Sequence, residues 1–297
     1  MASDVLFRVK SREFALGRRA WIMGIVNVTP DSFSDGGLFL DPARAIERGL
    51  ALVEDGADVV DVGGESTRPG SDPVTPDEEI RRVLPVIAGL RERTQALISV
   101  DTSKVEVAEA ALDAGADIVN DISAFRLDPR ILVLAARHGA GFILMHMKGV
   151  PRTMQAHPHY DDVVAEVRAF LAERIDVAEA YGLPRESIAI DPGIGFGKNQ
   201  PDNLALLAGL RTLAGLGRPV VVGVSRKSFI GKILDAPPQD RLEGTIAAAV
   251  MSFVNGASVL RVHDVRAVAR AVRVAEAILS ATGGDGPPRE EKAGYVH

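Results

Sequence analysis

Ser-Ile-Ala-Ile-Asp-Pro-Gly-Ile-Gly-Phe-Gly, residues 187–197, joins a short apolar run to a glycine-rich loop. The run Ile188–Ile190 predicts a buried strand, and Asp191 stands where that strand ends. The glycines let the backbone turn tightly and approach a ligand, although the segment alone is equally consistent with an ordinary strand and turn. It is not a Walker loop, because Asn199 replaces the required Ser or Thr. It is not a G-x-G-x-x-G loop either, because Lys198 occupies the last glycine position.

The same alternation of apolar strand and amphipathic helix recurs along the chain. Eight strands are predicted, at 21–26, 59–62, 97–100, 118–119, 142–145, 188–190, 220–224 and 259–260. Helices are predicted at 41–56, from 75, at 104–114, from 128, at 161–181, 201–214, 226–235, 240–255 and 264–281. A helix-ending glycine followed by a strand repeats at 56–61, 115–120 and 256–261. Eight strand–helix units over roughly 250 residues predict an α/β fold, the (β/α)₈ TIM barrel, with a doubly wound open sheet as the competing architecture.

The ends of the chain fall outside this repeat. Residues 5–19 predict a short N-terminal β-hairpin, since two apolar runs precede Gly17. Residues 283–297 are rich in glycine, proline and mixed charge, which is typical of a disordered tail. We therefore expect one barrel domain over residues 1–282, with residues 1–20 as its hairpin.

Composition excludes several classes of protein. The chain has 297 residues, is 46% hydrophobic, and carries 34 Lys+Arg against 40 Asp+Glu, for a net charge of −6. An acidic, mixed surface argues against nucleic acid or a membrane as partner. There is no cysteine, so disulfides, thiolate metal sites and cysteine nucleophiles are absent. Without a long apolar run or a signal-peptide pattern, the expected location is the cytoplasm.

Polar side chains stand where each predicted strand ends, and in a barrel of this type these ends share one mouth. They are Asn27, Asp61, Asp101, Asn120, Asp121, His146, Asp191, Ser225, Arg226, Lys227, Arg261 and His263. Any one of them has an ordinary structural explanation, such as capping a loop. Their recurrence at every strand end predicts a functional cleft.

The residue types in this cleft suit a flat, polar ring. Asp101, Asn120 and Asp191 can pair with a heterocycle rich in N–H groups, and Lys227 can meet a ring carbonyl. Met145 or Phe196 can cover one face of the ring.

The rim of the cleft suits an anion. Arg68, Arg261 and His263 offer charge-assisted hydrogen bonds to a phosphate or carboxylate. There is no Ser-His-Asp arrangement and no spacing typical of a tight zinc site. Mg²⁺ held mainly by substrate phosphates needs only one or two protein oxygens. The residues thus indicate an enzyme that acts on a phosphorylated heterocycle.

A set of motifs spanning residues 23–264 resembles the signatures of the dihydropteroate synthase family. They are 23–37 (MGIVNVTPDSFSDGG), 61–70 (DVGGESTRPG), 99–102 (SVDT), 120–121 (ND), 144–147 (LMHM), 191–198 (DPGIGFGK), 225–228 (SRKS) and 261–264 (RVHD). The resemblance implies a TIM-barrel transferase of folate biosynthesis. Enzymes of this family are the target of sulfonamides, which mimic one of the substrates. The family's reaction joins (7,8-dihydropterin-6-yl)methyl diphosphate and 4-aminobenzoate to give 7,8-dihydropteroate and pyrophosphate.

The resemblance also implies roles for individual residues. The pterin site would comprise Asp101, Asn120, Met145, Asp191, Lys227 and Arg261. The diphosphate site would comprise Asn27, Arg68, Arg261 and His263. The aminobenzoate site would comprise Phe33, Thr67, Arg68, Phe196, Lys227 and Ser228. The catalytic residues would be Asn27, Asp35, Asp101 and Lys227. Asn27 would be the protein ligand to Mg²⁺, the expected cofactor.

The mechanism expected from these roles is dissociative, with loops 28–40 and 64–74 closing over the site to exclude water. A homodimer through barrel helices is also implied, with the apolar run 246–251 as a candidate contact. Two alternatives stay open: a pterin-binding barrel of the methyltransferase type, and a paralogue that binds pterin without catalysis.

Overall fold

The computed structural model describes residues 5–17, 19–29, 41–66, 72–149, 154 and 158–281. The strands in this part of the chain are β1 Val5–Val9, β2 Arg12–Leu16, β3 Trp21–Asn27, β4 Val59–Gly63, β5 Leu97–Asp101, β6 Ile118–Asp121, β7 Gly141–Met145, β8 Ile188–Asp191, β9 Val221–Gly223 and β10 Val259–Val262. The helices are α1 Pro42–Glu54, α2 Pro76–Arg91, α3 Val105–Asp113, α4 Arg130–His138, α5 Val163–Ala180, α6 Gln200–Ala208, α7 Leu210–Ala214, α8 Ser228–Leu234, α9 Leu242–Val254 and α10 Val265–Ala281.

Eight of the strands form one parallel sheet in the order β8-β7-β6-β5-β4-β3-β10-β9. The two edges meet, because Ile190 in β8 forms a parallel bridge with Val220, just before β9. The N–H of Ile190 also donates to the carbonyl of Pro219 at 2.9 Å. This closure confirms the predicted barrel and excludes the open doubly wound sheet.

The predicted N-terminal hairpin is confirmed, and it covers one end of the barrel. β1 and β2 pair antiparallel, with Phe7 opposite Phe14. Phe7 and Phe14 both contact the ring of Trp21 edge-on, at centroid distances of 6.3 and 4.8 Å. The hairpin side chains join the inward-facing residues at the amino ends of the strands in one apolar cluster. Ligands therefore have to enter from the opposite end.

The larger core lies between the strands and the surrounding helices. Its first two helices begin where predicted, each with a side-chain cap: the side chain of Asp41 accepts from Ala43 at the start of α1, and that of Thr75 accepts from Glu78 at the start of α2. The single helix predicted at 201–214 is wrong, because the chain forms two helices that meet at Gly209. A Cβ at Gly209 would lie 3.0 Å from Val164 of α5, so the lack of a side chain there lets α5 pack closely.

No helix in the described part of the chain is long and apolar enough to cross a membrane. The predicted tail, 283–297, lies outside the described residues.

Candidate active site

The two-residue period of the strands decides which side chains point into the barrel. Val59, two positions before Asp61, belongs to the inner cluster, while Val60 and Val62 belong to the outer core. Asp61 and Gly63 therefore face inward. The same parity turns Ser99 and Asp101 inward from β5, and the other strands behave alike. Apolar residues fill the lower barrel, and polar ones follow them at the carboxyl ends.

These inward residues line one pocket at the mouth of the barrel. Its walls are formed by Asp101, Asn120, Ile122, Met145, Asp191, Gly193, Ile194, Phe196, Gly223, Lys227 and Arg261. The structure thus brings together seven of the predicted site residues from five strand ends and two loops: Asp101, Asn120, Met145, Asp191, Phe196, Lys227 and Arg261. Carboxylates, an amide and two cations converge beside an apolar wall.

Arg261 joins two carboxylates across this pocket. Its Nε donates to Oδ2 of Asp61 at 2.6 Å, and its Nη2 donates to Oδ2 of Asp101 at 2.7 Å. The amide of Asn120 donates weakly to the same Asp61 oxygen at 3.4 Å. Burial raises the pKa of Asp101 to about 7, with Arg261 opposing the rise. The guanidinium is thus committed to Asp61 and Asp101, and it fixes the orientation of both.

Lys227 and Phe196 form the other wall. The ammonium of Lys227 lies 4.3 Å from the centroid of the Phe196 ring, within cation–π distance. Burial, with nearby Arg261 acting in the same direction, lowers the pKa of Lys227 to about 8. Asp191 and Asp101 oppose that change.

A buried cation supports the glycine-rich loop of this wall. Lys198 is 2% exposed, and its Nζ lies 2.9 Å from Nδ1 of His146. Burial lowers the pKa of Lys198 to about 7 and that of His146 to about 2, so the imidazole is neutral and accepts this hydrogen bond. His146 packs edge-on against Phe170 at 4.8 Å, away from the pocket lining. Its place at a strand end reflects support of the loop.

Three other predicted residues lie around the rim. Asn27 is the last residue of β3, in register with Gly63 of β4. His263 follows β10, and its Nδ1 lies 2.9 Å from Oγ of Ser225. Ser228 opens α8 directly after Lys227. The remaining predicted site residues, Phe33, Asp35, Thr67 and Arg68, lie outside the described residues, as do most of the two predicted lid loops.

The sequence places Asp61 among the polar residues at the barrel mouth but assigns it no role of its own. The structure makes it a central partner of Arg261. The two-residue period of strand side chains could have identified it. Asp61 stands two residues after the inward-facing Val59, just as Asp101 stands two residues after Ser99.

Three comparisons with known proteins indicate the same family. A family model described as "Pterin binding enzyme" matches residues 23–263. A dihydropteroate synthase from Synechocystis is 48% identical over 266 residues, covering 89% of this chain and 92% of that protein. A solved dihydropteroate synthase from Xanthomonas albilineans with 4-aminobenzoic acid is 47% identical, has a TM-score of 0.85, and is matched over 92% of this chain and 98% of its own. A structure of the Xanthomonas enzyme in complex with 7,8-dihydropteroate matches with a TM-score of 0.83 at 45% identity, over 92% and 99% of the two chains.

Proposed function

The chain belongs to the family of pterin-binding enzymes, and we propose that it acts as a dihydropteroate synthase. This transferase condenses (7,8-dihydropterin-6-yl)methyl diphosphate with 4-aminobenzoate and releases pyrophosphate. The observation that carries the proposal is the pocket in which Asp101, Asn120, Asp191 and Lys227 converge at the barrel mouth. The solved relatives with 4-aminobenzoic acid and with 7,8-dihydropteroate support the choice of substrates.

The pterin suits this pocket by its pattern of donors and acceptors. Its amino and ring N–H groups need acceptors, which the carboxylates of Asp101 and Asp191 and the carbonyl oxygen of Asn120 supply. Its ring carbonyl needs a donor, which Lys227 supplies. The buried Met145 side chain provides an apolar, polarisable surface for a flat ring.

Aminobenzoate would bind on the side of Phe196 and Lys227. An aromatic substrate can pack on the Phe196 ring, and Ser228 stands directly beside Lys227 at the start of α8. The family resemblance implies that Phe33, Thr67 and Arg68 belong to the same subsite, with Arg68 supplying charge to a carboxylate or phosphate.

The mechanism we propose is dissociative. The bond between the methylene carbon and the diphosphate oxygen breaks first, and its electron pair leaves with pyrophosphate. The resulting pterin-methyl cation is stabilised by the ionised Asp101 carboxylate, which Arg261 holds in place at 2.7 Å. The aromatic amine then attacks the methylene carbon, and the proton it loses passes to the departing pyrophosphate or to water. Asn27, Arg68, Arg261 and His263 would act on the diphosphate side, and Asp35 would be a further catalytic residue.

The residues present fit a magnesium ion held mainly by substrate phosphates. Within the described residues, no three His, Asp or Glu side chains are grouped to bind a metal, so a site built from protein carboxylates is not formed there. The carboxamide of Asn27 at the end of β3 supplies one hard oxygen ligand of the type Mg²⁺ accepts. When bound, Mg²⁺ would neutralise charge on the departing pyrophosphate.

A homodimer in the cytoplasm is the proposed working form. The neighbouring helices α9 and α10 leave apolar side chains exposed, with Met251 54%, Val274 61% and Ile278 62% exposed. Such side chains on one side of a barrel favour contact with a second copy. Met251→Glu with Val274→Glu is expected to convert a dimer into a monomer in light scattering. Val133→Glu on α4 is the control, because Val133 is also exposed, at 43%.

A pyrophosphate-release assay tests the proposed activity. Both substrates with Mg²⁺ should give pyrophosphate and a product with the mass of 7,8-dihydropteroate, and omission of either substrate should abolish the product. Pterin binding without pyrophosphate release would identify a non-catalytic paralogue. Methyl transfer from a methylated folate, without condensation, would identify the methyltransferase-type barrel.

A further inference from the structure

We propose that Lys198 is a positioning residue whose buried ammonium group holds the loop 193–197 in the shape that orients Asp191 and Phe196 for binding. The proposal rests on the proposed function only in the naming of the two substrates. Among the residues predicted from the sequence, Lys198 belongs to a motif but has no assigned role.

The surroundings of Lys198 are unusual for a lysine. Its Nζ lies 3.0 Å from the carbonyl oxygens of Gly193 and Phe196 and 3.4 Å from that of His146, besides the imidazole nitrogen at 2.9 Å. Within the described residues it makes no ion pair with a carboxylate. A buried ammonium group with only neutral acceptors within hydrogen-bond distance is costly. Burial accordingly lowers its pKa to about 7, and the nearby charge of Asp191 opposes that change, so its place in the loop needs a local reason.

That reason is the convergence of carbonyl oxygens. The ammonium has three donors and meets three backbone carbonyls and one imidazole, so it can satisfy oxygens that would otherwise repel one another. The loop also lies directly against the backbone after β7. A Cβ on Gly193 would lie 1.9 Å from the carbonyl oxygen of His146, and one on Gly197 would lie 2.2 Å from that of Lys148. Lys198 therefore joins the two facing segments at their closest approach.

The loop transmits this restraint to both walls of the pocket. The N–H of Gly193 donates to Oδ1 of Asp191 at 2.6 Å, which fixes one pterin-binding carboxylate. Phe196, whose carbonyl the ammonium also holds, places its ring 4.3 Å from the Lys227 ammonium. A single buried cation thus sets the positions of a pterin ligand and of the aromatic side chain proposed to contact aminobenzoate.

The absence of natural cysteine allows a sharp test. Lys198→Cys is produced, unfolded, alkylated with 2-bromoethylamine, which restores an amine of nearly the same length, and refolded. A parallel sample is alkylated with iodoacetamide, which leaves the side chain neutral. Lys232→Cys, at an exposed lysine on α8, receives both treatments as the matched control.

The neutral side chain at position 198 is expected to weaken binding of 6-hydroxymethylpterin about tenfold and to raise the KM for aminobenzoate similarly, while circular dichroism stays that of the barrel. The aminoethylated chain should return to within about twofold of the native values, and neither treatment of Lys232→Cys should change them. Native binding by a folded, neutral Lys198 variant would overturn the proposal.

Two further outcomes are decisive. If the neutral chain does not refold, Lys198→Gln is measured instead, because its amide keeps two N–H donors. If no neutral replacement folds, Lys198 supports the whole barrel and the proposal fails. A native chain that binds pterin but releases no pyrophosphate would refute the proposed function alone, since the pterin comparison needs no turnover.

Discussion

Nη2 of Arg261 lies 2.7 Å from Oδ2 of Asp101, although 160 residues separate the two along the chain. The same guanidinium holds Asp61 through Nε at 2.6 Å, so it is shared between two acids. Although burial opposes it, Asp61 and Asp101 raise the pKa of Arg261, which keeps its charge. This arrangement holds the Asp101 carboxyl group in place beside the bound ring, and because its pKa is raised to about 7, it carries its full negative charge only above that pH.

Asp101→Asn should therefore reduce kcat far more than it reduces stability. The amide retains the size of the carboxylate and a hydrogen-bond acceptor, but it cannot stabilise a developing cation. We expect kcat to fall about 100-fold or more, and the free energy of unfolding to change by about 1 kcal/mol or less. Steady-state kinetics and urea denaturation measure the two quantities. Asp113→Asn, at an exposed acid, is the matched control. A variant that retains native turnover would refute the role proposed for Asp101.

Because of Lys227, kcat/KM for the pterin substrate should decrease on the alkaline side of its pH profile, from about pH 8. Burial lowers its pKa to about 8, so the ammonium that donates to the pterin carbonyl is lost as the pH rises through that value. Lys227→Arg, which stays charged, should shift this decrease in kcat/KM to higher pH, and Lys232→Arg should leave it unchanged.

Over the same pH range in which kcat/KM falls, the contribution of Lys227 to the free energy of unfolding should rise. An unfolded lysine has a pKa of about 10.4, so between about pH 8 and 10 the unfolded chain binds more protons at this position than the folded chain. The free energy of unfolding of the native chain should then rise with pH relative to that of Lys227→Arg. Urea denaturation of both chains at pH 8 and 10 measures this difference, and a constant difference would contradict the depressed pKa.

The sequence was sufficient for the barrel because each of its units carries its own signals. The sequence shows helix caps such as Asp41 and Thr75, and apolar strand runs, as local features. The hairpin could be predicted in the same way. The split between α6 and α7 at Gly209 was missed, because nothing local distinguishes a glycine that breaks a helix from one that packs against Val164.

Most of the pocket followed from strand ends, whereas the pairings inside it did not. Asp101, Asp191 and Arg261 were predicted to face one mouth, since carboxyl ends of parallel strands converge. That Arg261 reaches Asp61 and Asp101 together depends on the register of β10, β3, β4 and β5, which no single strand encodes. Lys198 was not given a role, because three of its acceptors are backbone carbonyls. Every residue has a backbone carbonyl, so the residue types in the sequence do not show which carbonyls will meet at one point.

The buried Glu79 and the partly buried Lys104 should be strongly coupled in stability. Lys104 pairs with Glu65 after β4 and with Glu79 of α2, which is 0% exposed. Lys104→Met leaves Glu79 buried and uncompensated, and we expect it to cost about 3 kcal/mol. The double variant Lys104→Met, Glu79→Gln should recover at least half of that loss. Urea denaturation measures both variants.

An exposed ion pair provides the contrast to Lys104. Arg8 and Glu13 lie 2.7 Å apart, but their side chains are 40% and 50% exposed. Arg8→Met should therefore cost about 1 kcal/mol or less. Equal losses for Arg8→Met and Lys104→Met would contradict the argument from burial.

The N-terminal hairpin should stabilise the barrel by filling its closed end, and the single tryptophan reports on it. Phe7 is 2% exposed and meets Trp21 edge-on, and a Cβ on Gly141 would lie 2.8 Å from its ring. Phe7→Ala should cost about 3–5 kcal/mol, because the lower barrel cannot close around the cavity. It should also shift the Trp21 emission to longer wavelength as water enters. Leu6→Ala, on the opposite face of the same strand, should change neither property by a comparable amount, since Leu6 is 36% exposed. An unchanged emission spectrum for Phe7→Ala would mean that the hairpin does not seal the barrel.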